Sequence, residues 1–275
     1  MIKQLKSISM LAVAGIIAAS VTSCQEPDYP APQQSAAGPN AGSSRVRFTN
    51  ASNAAGLSLF VENTAAGSTL APGQSTDYVA LPLIASAQFR AKGPGGTLGT
   101  NDLAQKLAVA AGTNYTVFVT DSIARPRVVA ATGAVTDAGG LRFLQVTDNL
   151  TAPVAGNAHV RFFHLAADAP VVSVRLQATA PASVTTTTAT LQNRAYRVTT
   201  VTSGTVTTNY ANFTPVPAAT YTVQVFAGAT IPTSATVSPV VSVTGLPLAD
   251  GKIYTIYARG LIRDRTLGAG LIQHN

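Results

Sequence analysis

Three histidines, eleven carboxylates and one cysteine are the groups this chain offers to acid–base, metal or nucleophilic chemistry. His164 and Asp168 are the pair with the most enzyme-like spacing. His164 shares strand parity with Val160 and Phe162, so it should point inward at the end of its strand. A carboxylate four residues on could orient the imidazole for proton transfer. The competing reading is a turn built by Asp168 and Pro170, with His164 bonding backbone to close it. A metal site would need clustered ligands at defined spacing. Alternation places His159 and His164 on opposite faces, and His274 lies at the C-terminal end, so no metal is expected. Nucleophilic catalysis would want a serine elbow, and Gly73-Gln-Ser-Thr-Asp77 lacks its second glycine. The acids fall mostly in turns (Asp102, Asp121, Asp137, Asp148, Asp250), which offers no opposed pair for glycoside hydrolysis. Gly93–Gly99 precedes no helix and so makes no phosphate loop. No enzyme activity and no cofactor are expected.

The elements that carry these residues begin with an export signal. Lys3 and Lys6 precede an apolar run from Met10 to Val21. About a dozen apolar residues suit a cleavable signal and are too few for a spanning helix. Val21-Thr22-Ser23-Cys24 resembles a bacterial lipobox, which implies that Cys24 takes lipid and becomes the mature N-terminus. Residues 1–23 are then the lipoprotein signal peptide, and 24–44 the lipidated cysteine and its tether. Pro27, Pro30, Pro32 and Pro39, set among Ser, Gln, Ala and Gly, make that tether an extended, disordered linker. Gln25 is not the aspartate associated with inner-membrane retention, so an outer-membrane or cell-surface address is expected. Glu26 and Asp28 resemble the surface-export signals of Bacteroidetes lipoproteins. With its single cysteine lipidated, the chain has no disulfide to draw on.

Loss of Lys3 and Lys6 reduces the formal charge from +7 to +5. The basic residues are scattered over the chain, which excludes the dense stripe of a nucleic-acid binder. Arg45, Arg47, Arg161 and Arg175 sit on strand faces and are expected to solvate them. Arg259, Arg263 and Arg265 fall together in one late loop that could touch anionic glycans or headgroups. Tyr210 and Phe213 are aromatic candidates for glycan stacking if exposed. Asp121-Ser122-Ile123 resembles the O-glycosylation pattern of exported Bacteroidetes proteins. The stretch from Ala178 to Thr190 is low in complexity and expected to be an inserted loop.

From position 45 the chain repeats. Arg45-Val-Arg-Phe48 returns as His159-Val-Arg-Phe162, and Gly112-Thr-Asn-Tyr-Thr-Val-Phe118 as Gly251-Lys-Ile-Tyr-Thr-Ile-Tyr257. Gly140–Asn149, with Phe143-Leu-Gln145, is echoed by Gly270-Leu-Ile-Gln-His-Asn275. Solenoid units run only about 20–50 residues, so a repeat this long predicts duplicated domains, 45–153 and 157–275. Period-two alternation in Leu57/Leu59/Val61, Tyr115/Val117/Val119, Val172/Val174/Leu176, Tyr221/Val223/Val225 and Tyr254/Ile256 predicts strands. Turn signals every 8–12 residues or so favour β-sandwiches. Leu103–Ala110 is read as a strand, because its counterpart Pro239–Leu246 is rich in Val, Ser and Thr. Tyr115 and Tyr254 each follow a glycine turn and resemble tyrosine corners.

His159-Val-Arg-Phe-Phe-His-Leu-Ala-Ala-Asp-Ala-Pro170, continuing into Val171-Val-Ser-Val-Arg-Leu176, resembles the opening signature of the bacterial domain-of-unknown-function 4397 family. Pro217-Ala-Ala-Thr-Tyr-Thr-Val223 is similar to that family's next recurring feature. The first copy is degenerate, with Asn50 in place of His164 and Asn53-Ala-Ala-Gly56 in place of Asp168-Ala-Pro170. The resemblance implies two tandem, antiparallel immunoglobulin-like β-sandwich domains on an exported, often lipid-anchored protein, and no reaction. The expected function is a non-enzymatic envelope lipoprotein that binds a glycan or protein through its two domains and touches the membrane by its lipid. An architectural spacer in an envelope assembly is the alternative, and a cryptic glycan hydrolase a third.

Overall fold

The computed structural model describes residues 43–82, 85–93, 103–181, 183, 188–234 and 236–275. Cys24, the export signal and the tether up to residue 42 lie outside them. The described residues are all-β, without an α-helix, so they hold no helix long and apolar enough to cross a membrane. The first half carries β1 (Arg45–Asn50), β2 (Ser58–Val61), β3 (Thr64–Ala65), β4 (Val79–Ala80), β5 (Ser86–Lys92) and β6 (Leu103–Ala108). It continues with β7 (Asn114–Thr120), β8 (Val128–Val129), β9 (Val135–Asp137) and β10 (Arg142–Asp148). The second half carries β11 (Asn157–His164), β12 (Val172–Ala180), β13 (Thr188–Arg194), β14 (Thr200–Ser203) and β15 (Val206–Asn209). It closes with β16 (Thr214–Pro217), β17 (Ala219–Ala227), β18 (Val241–Leu248), β19 (Ile253–Arg259) and β20 (Gly268–Gln273). Leu103–Ala108 is a strand, as its counterpart at β18 suggests.

Each half places two four-stranded sheets against one core. The sheet orders β10-β7-β1-β4 and β20-β19-β11-β16 match strand for strand, as do β3-β2-β5-β6 and β13-β12-β17-β18. Hairpins β8–β9 and β14–β15 stand outside this common frame. Val46, Phe48, Leu59, Phe89, Val117 and Phe143 share one sandwich-like core; Val160, Phe162, Val174, Leu176, Tyr221 and Ile256 share the other. Each core side chain withdraws about 1.5–3 kcal/mol worth of apolar surface from water. The sheets are not wholly antiparallel, because β1 runs parallel to β7 and β11 parallel to β19.

Pairing registers follow the repeat. Arg45 lies opposite Asn114 and His159 opposite Ile253, the correspondence drawn between Arg45 and His159 and between Asn114 and Ile253. The C-terminal echo is slipped by two residues. Thr116 faces Val146 and Thr255 faces Ile272, so Val146 answers to Ile272 and Asp148 to the position of His274. A slip of two keeps every side chain on its own face, so alternation cannot detect it.

Sheets β10-β7-β1-β4 and β20-β19-β11-β16 also meet through the faces turned away from their cores. A third cluster joins the halves there, with Phe118, Val146, Phe163, Leu165, Tyr257 and Ile272 among its members. All seven residues of β7 are therefore buried, since both of its faces are covered. The contacts are reciprocal. Arg47 Nη1 donates to Gln273 O at 2.6 Å, and its counterpart Arg161 Nη1 donates to Thr147 O at 2.8 Å. Phe118 and its counterpart Tyr257 touch each other, with ring centroids 5.5 Å apart. Reciprocal contacts between matching residues mark an approximate two-fold axis, as in a symmetric dimer. The arginines expected to solvate strand faces are corrected accordingly. Arg161 is 1% exposed and Arg47 is buried beside it, while Arg45 and Arg175 bond Asn114 and Gln224 at half-buried positions.

Candidate functional site

The junction between the halves holds a closed ring of polar groups. Arg161 Nε donates to Thr255 Oγ1 at 2.8 Å, Thr255 Oγ1 meets His274 Nε2 at 2.7 Å, and His274 Nδ1 meets the Tyr78 hydroxyl at 2.7 Å. Tyr78 donates to Asp148 Oδ2 at 2.7 Å, and Asp148 Oδ1 pairs with Arg161 Nη2 to complete the ring. One assignment of protons satisfies all five groups. Thr255 donates to Nε2, neutral His274 carries its proton on Nδ1, and Tyr78 accepts it while donating to Asp148. Burial holds the His274 imidazole down at about 3, against the pull of Asp148; Arg161 and Arg47 add to the lowering. Burial likewise pushes the Tyr78 phenol well above its ordinary value, with Asp148 adding to the effect. Asp148, Arg161, Thr255 and His274 are buried and Tyr78 is half-buried, so the ring's charged members are shut away from solvent. Its work is to fix one half on the other.

His164 and Asp168 do not meet. His164 Nε2 lies 3.0 Å from Pro170 O and Nδ1 accepts the Ala166 N–H at 3.4 Å, so the imidazole closes its own turn. Burial lowers its affinity for a proton. Asp168 accepts the N–H groups of Ile262 at 2.7 Å and Arg263 at 3.0 Å, which pins the late loop. Tyr115 and Tyr254 each accept a backbone N–H from five residues upstream, Ala110 at 2.8 Å and Ala249 at 3.1 Å. That contact ties each β7- or β19-type strand to the turn before it.

The aromatic candidates take other places. Tyr210 is buried, bonds Asn193 O at 3.0 Å and lies under the Arg194 guanidinium at 3.5 Å. Phe213 is half-buried and covers Arg161 at 4.3 Å. Neither is a sugar platform, because the ring each would offer is spent on an arginine. Arg259, Arg263 and Arg265 divide. Arg259 is half-buried against Gly73, while Arg263 and Arg265 are exposed. Ser122 is buried and its Oγ accepts the Ala124 N–H at 3.2 Å, so it does not present a glycan acceptor. Among the described residues no three His, Cys, Asp or Glu side chains come together as metal ligands.

One open cleft, of about 430 Å3, lies between the edge strands β6 and β10 of the first half. Leu103–Gln105 and Phe143 form its walls, and Arg125, Arg142 and Arg197 bring three guanidiniums to it. The 121–141 loop builds the charged side. Arg125 Nη1 donates to Asp137 Oδ2 at 2.5 Å and Nε to Gly140 O at 2.8 Å, while Arg142 Nη2 bonds the same Asp137 oxygen. The Arg125 hydrogen bond and the Gly139 N–H hold the Asp137 carboxyl at about 2. Gly139 is needed at φ +75°, where an added Cβ would lie 2.7 Å from Arg125 O. Arg197 arrives from the second half and donates to Phe143 O at 2.6 Å. Burial lowers the proton affinity of its guanidinium. Its neighbour Tyr196 donates to Asp121 Oδ2 at 2.8 Å, tying the two halves together under the cleft. Among the described residues, three cations against Asp121 and Asp137 leave surplus positive charge, which suits an anionic group. Among the described residues that line the cleft there is no serine, threonine, cysteine, lysine or histidine, and the one carboxylate, Asp137, is paired with Arg125 and Arg142. Nothing in the sequence spacing pointed to this site, since Arg197 lies 55 residues beyond Arg142 and 72 beyond Arg125, and the halves had to dock before it could join them.

Residues 44–175 match a family model described as a domain of unknown function, DUF4397, spanning the first half and the opening strands of the second. No curated protein matches the chain.

Proposed function

We propose that this chain, which belongs to the DUF4397 family, is a non-enzymatic envelope lipoprotein that binds a ligand through two fused immunoglobulin-like domains. Cys24 carries the lipid, residues 25–44 form the tether, and 45–153 and 157–275 are the duplicated domains. The cell surface or the outer membrane is the address. The observation that carries the binding role is the cleft between β6 and β10, where three guanidiniums line an open space with Asp137, and Asp121 pairs with two of them. The matching strand orders and the two cores support the duplication.

The tether supports presentation outward from a membrane. The described chain enters β1 level with Asn114, and the 121–141 loop leaves the far end of the parallel β7. Seven strand residues put roughly 20 Å between the two ends. The charged end of the cleft therefore lies at the end of β7 opposite the entry of β1. The spacer reading is the weaker one, because a spacer has no use for an open, charged cleft.

Replacing Cys24→Ala is expected to move the protein from the membrane pellet to the soluble envelope fraction and to abolish incorporation of a labelled fatty acid. One acyl chain holds only marginally, so loss of the lipid should release the whole population. Captures from envelope extract with the 45–275 fragment should return a partner that an Arg142→Gln fragment does not. A Cys24→Ala protein that still carries label, or capture indifferent to Arg142, would contradict the reading.

A further inference from the structure

We propose that the cleft between β6 and β10 receives an extended acidic peptide, its backbone along the open edge of β6 and its carboxylates at Arg142 and Arg197. This rests on the binding role above and names its ligand. β6 pairs only with β5, and β10 only with β7, among the described strands. The cleft thus opens between two strand edges where, apart from Ala108 O, which accepts from Gln145 Nε2 at 2.8 Å, an incoming strand meets backbone groups that no described strand pairs. Its charged end presents Arg142, whose side chain is 35% exposed, and Arg197. Guanidiniums hold carboxylates with short, directional, often paired hydrogen bonds.

The 121–141 loop that brings Arg125 and Asp137 to the cleft also carries exposed aliphatic side chains. Val128, Val129 and Val135 on the β8–β9 hairpin are 50%, 49% and 46% exposed, and Ile123 stands at the base of the same loop. Every large apolar side chain exposed among the described residues is Val, Ile or Leu. Sugar rings are held by stacking on exposed aromatic faces, which this surface lacks. A peptide whose apolar side chains alternate with carboxylates offers a partner to each feature, carboxylates for the arginines and aliphatic side chains for the exposed valines of the same loop. A free phosphate or a uniformly charged polymer would use the arginines alone.

Full-length lipidated protein in detergent micelles is titrated with a fluorescent heptapeptide alternating valine and glutamate, and with its glutamine counterpart. Fluorescence anisotropy should show the glutamate peptide binding about tenfold tighter or better, and weakening as salt is raised. Arg142→Gln should remove most of that preference, and an oligouronate should compete poorly. The comparison of two peptides on unaltered protein does not depend on how a variant folds. Equal binding of the two peptides, or an oligouronate that binds where the glutamate peptide does not, would overturn the proposal and leave the binding role standing. A glutamate peptide recovered cleaved would overturn the non-enzymatic role itself.

Discussion

Asp148→Ala should destabilise the protein by about 3–5 kcal/mol, the range for removing one partner of a buried ion pair. The cause is the arginine left behind. Arg161 is 1% exposed, and its guanidinium has spent its other donors on Thr255, Thr147 and Ala211. Without the carboxylate, a full positive charge remains enclosed against Phe163 and Phe213, with too little to balance it. The Tyr78 hydroxyl and Thr116 Oγ1 lose the same acceptor. In a chain of this size the loss lowers the melting temperature by roughly 10 °C. Asp148→Leu combined with Arg161→Met should recover much of the deficit, because a buried ion pair replaced as a pair by apolar groups costs little. A double variant as unstable as Asp148→Ala would show that the ring does more than cancel charge.

Acid should weaken the protein before its carboxylates titrate. His274 is neutral when folded, at about 3, and takes up a proton near 6.5 when unfolded. Below 6.5 the unfolded chain binds the proton that the folded chain refuses. Stability is therefore full above that value and declines as the pH falls toward 3, by about 1.4 kcal/mol per pH unit. His164, also held down by burial, adds in the same direction. A drop of about 2 kcal/mol between pH 7 and pH 5 is expected from His274 alone. Urea unfolding at the two values checks it, and His274→Gln should flatten the slope by about one proton. An unchanged slope in that variant would mean His274 accepts its proton without leaving the ring.

Much of the fold could be read from the residues. The repeats at Arg45 and His159, and at Gly112 and Gly251, anticipate that the second half reproduces the first, and the pairing of β1 with β7 returns rung for rung in β11 with β19. The two-residue slip near the C-terminus escaped because Gln145 and Gln273 match as letters while the pleat is blind to an even shift. The docking of the halves was harder to see. Thr116, Thr120, Thr255, Arg47 and Arg161 look like the wet face of a sheet, and alternation assigns them to solvent. Phe118, Phe163 and Tyr257 share that face, and their aromatic bulk was the signal that something covers it. Once covered, the same arginines become buried charges that need partners, and Asp148 and His274 supply them. The cleft was illegible for a related reason, since its third guanidinium is delivered by the docking itself.

Two halves clamped through their strand faces imply that neither opens without the other. Hydrogen exchange followed by mass spectrometry tests this directly, by comparing amides of Asn114–Thr120 with those of Ile253–Arg259 across a urea series. The two segments should exchange together, through one global opening with a shared denaturant dependence. Exchange of one segment at low urea while the other stays protected would show two independently opening bodies and contradict the account.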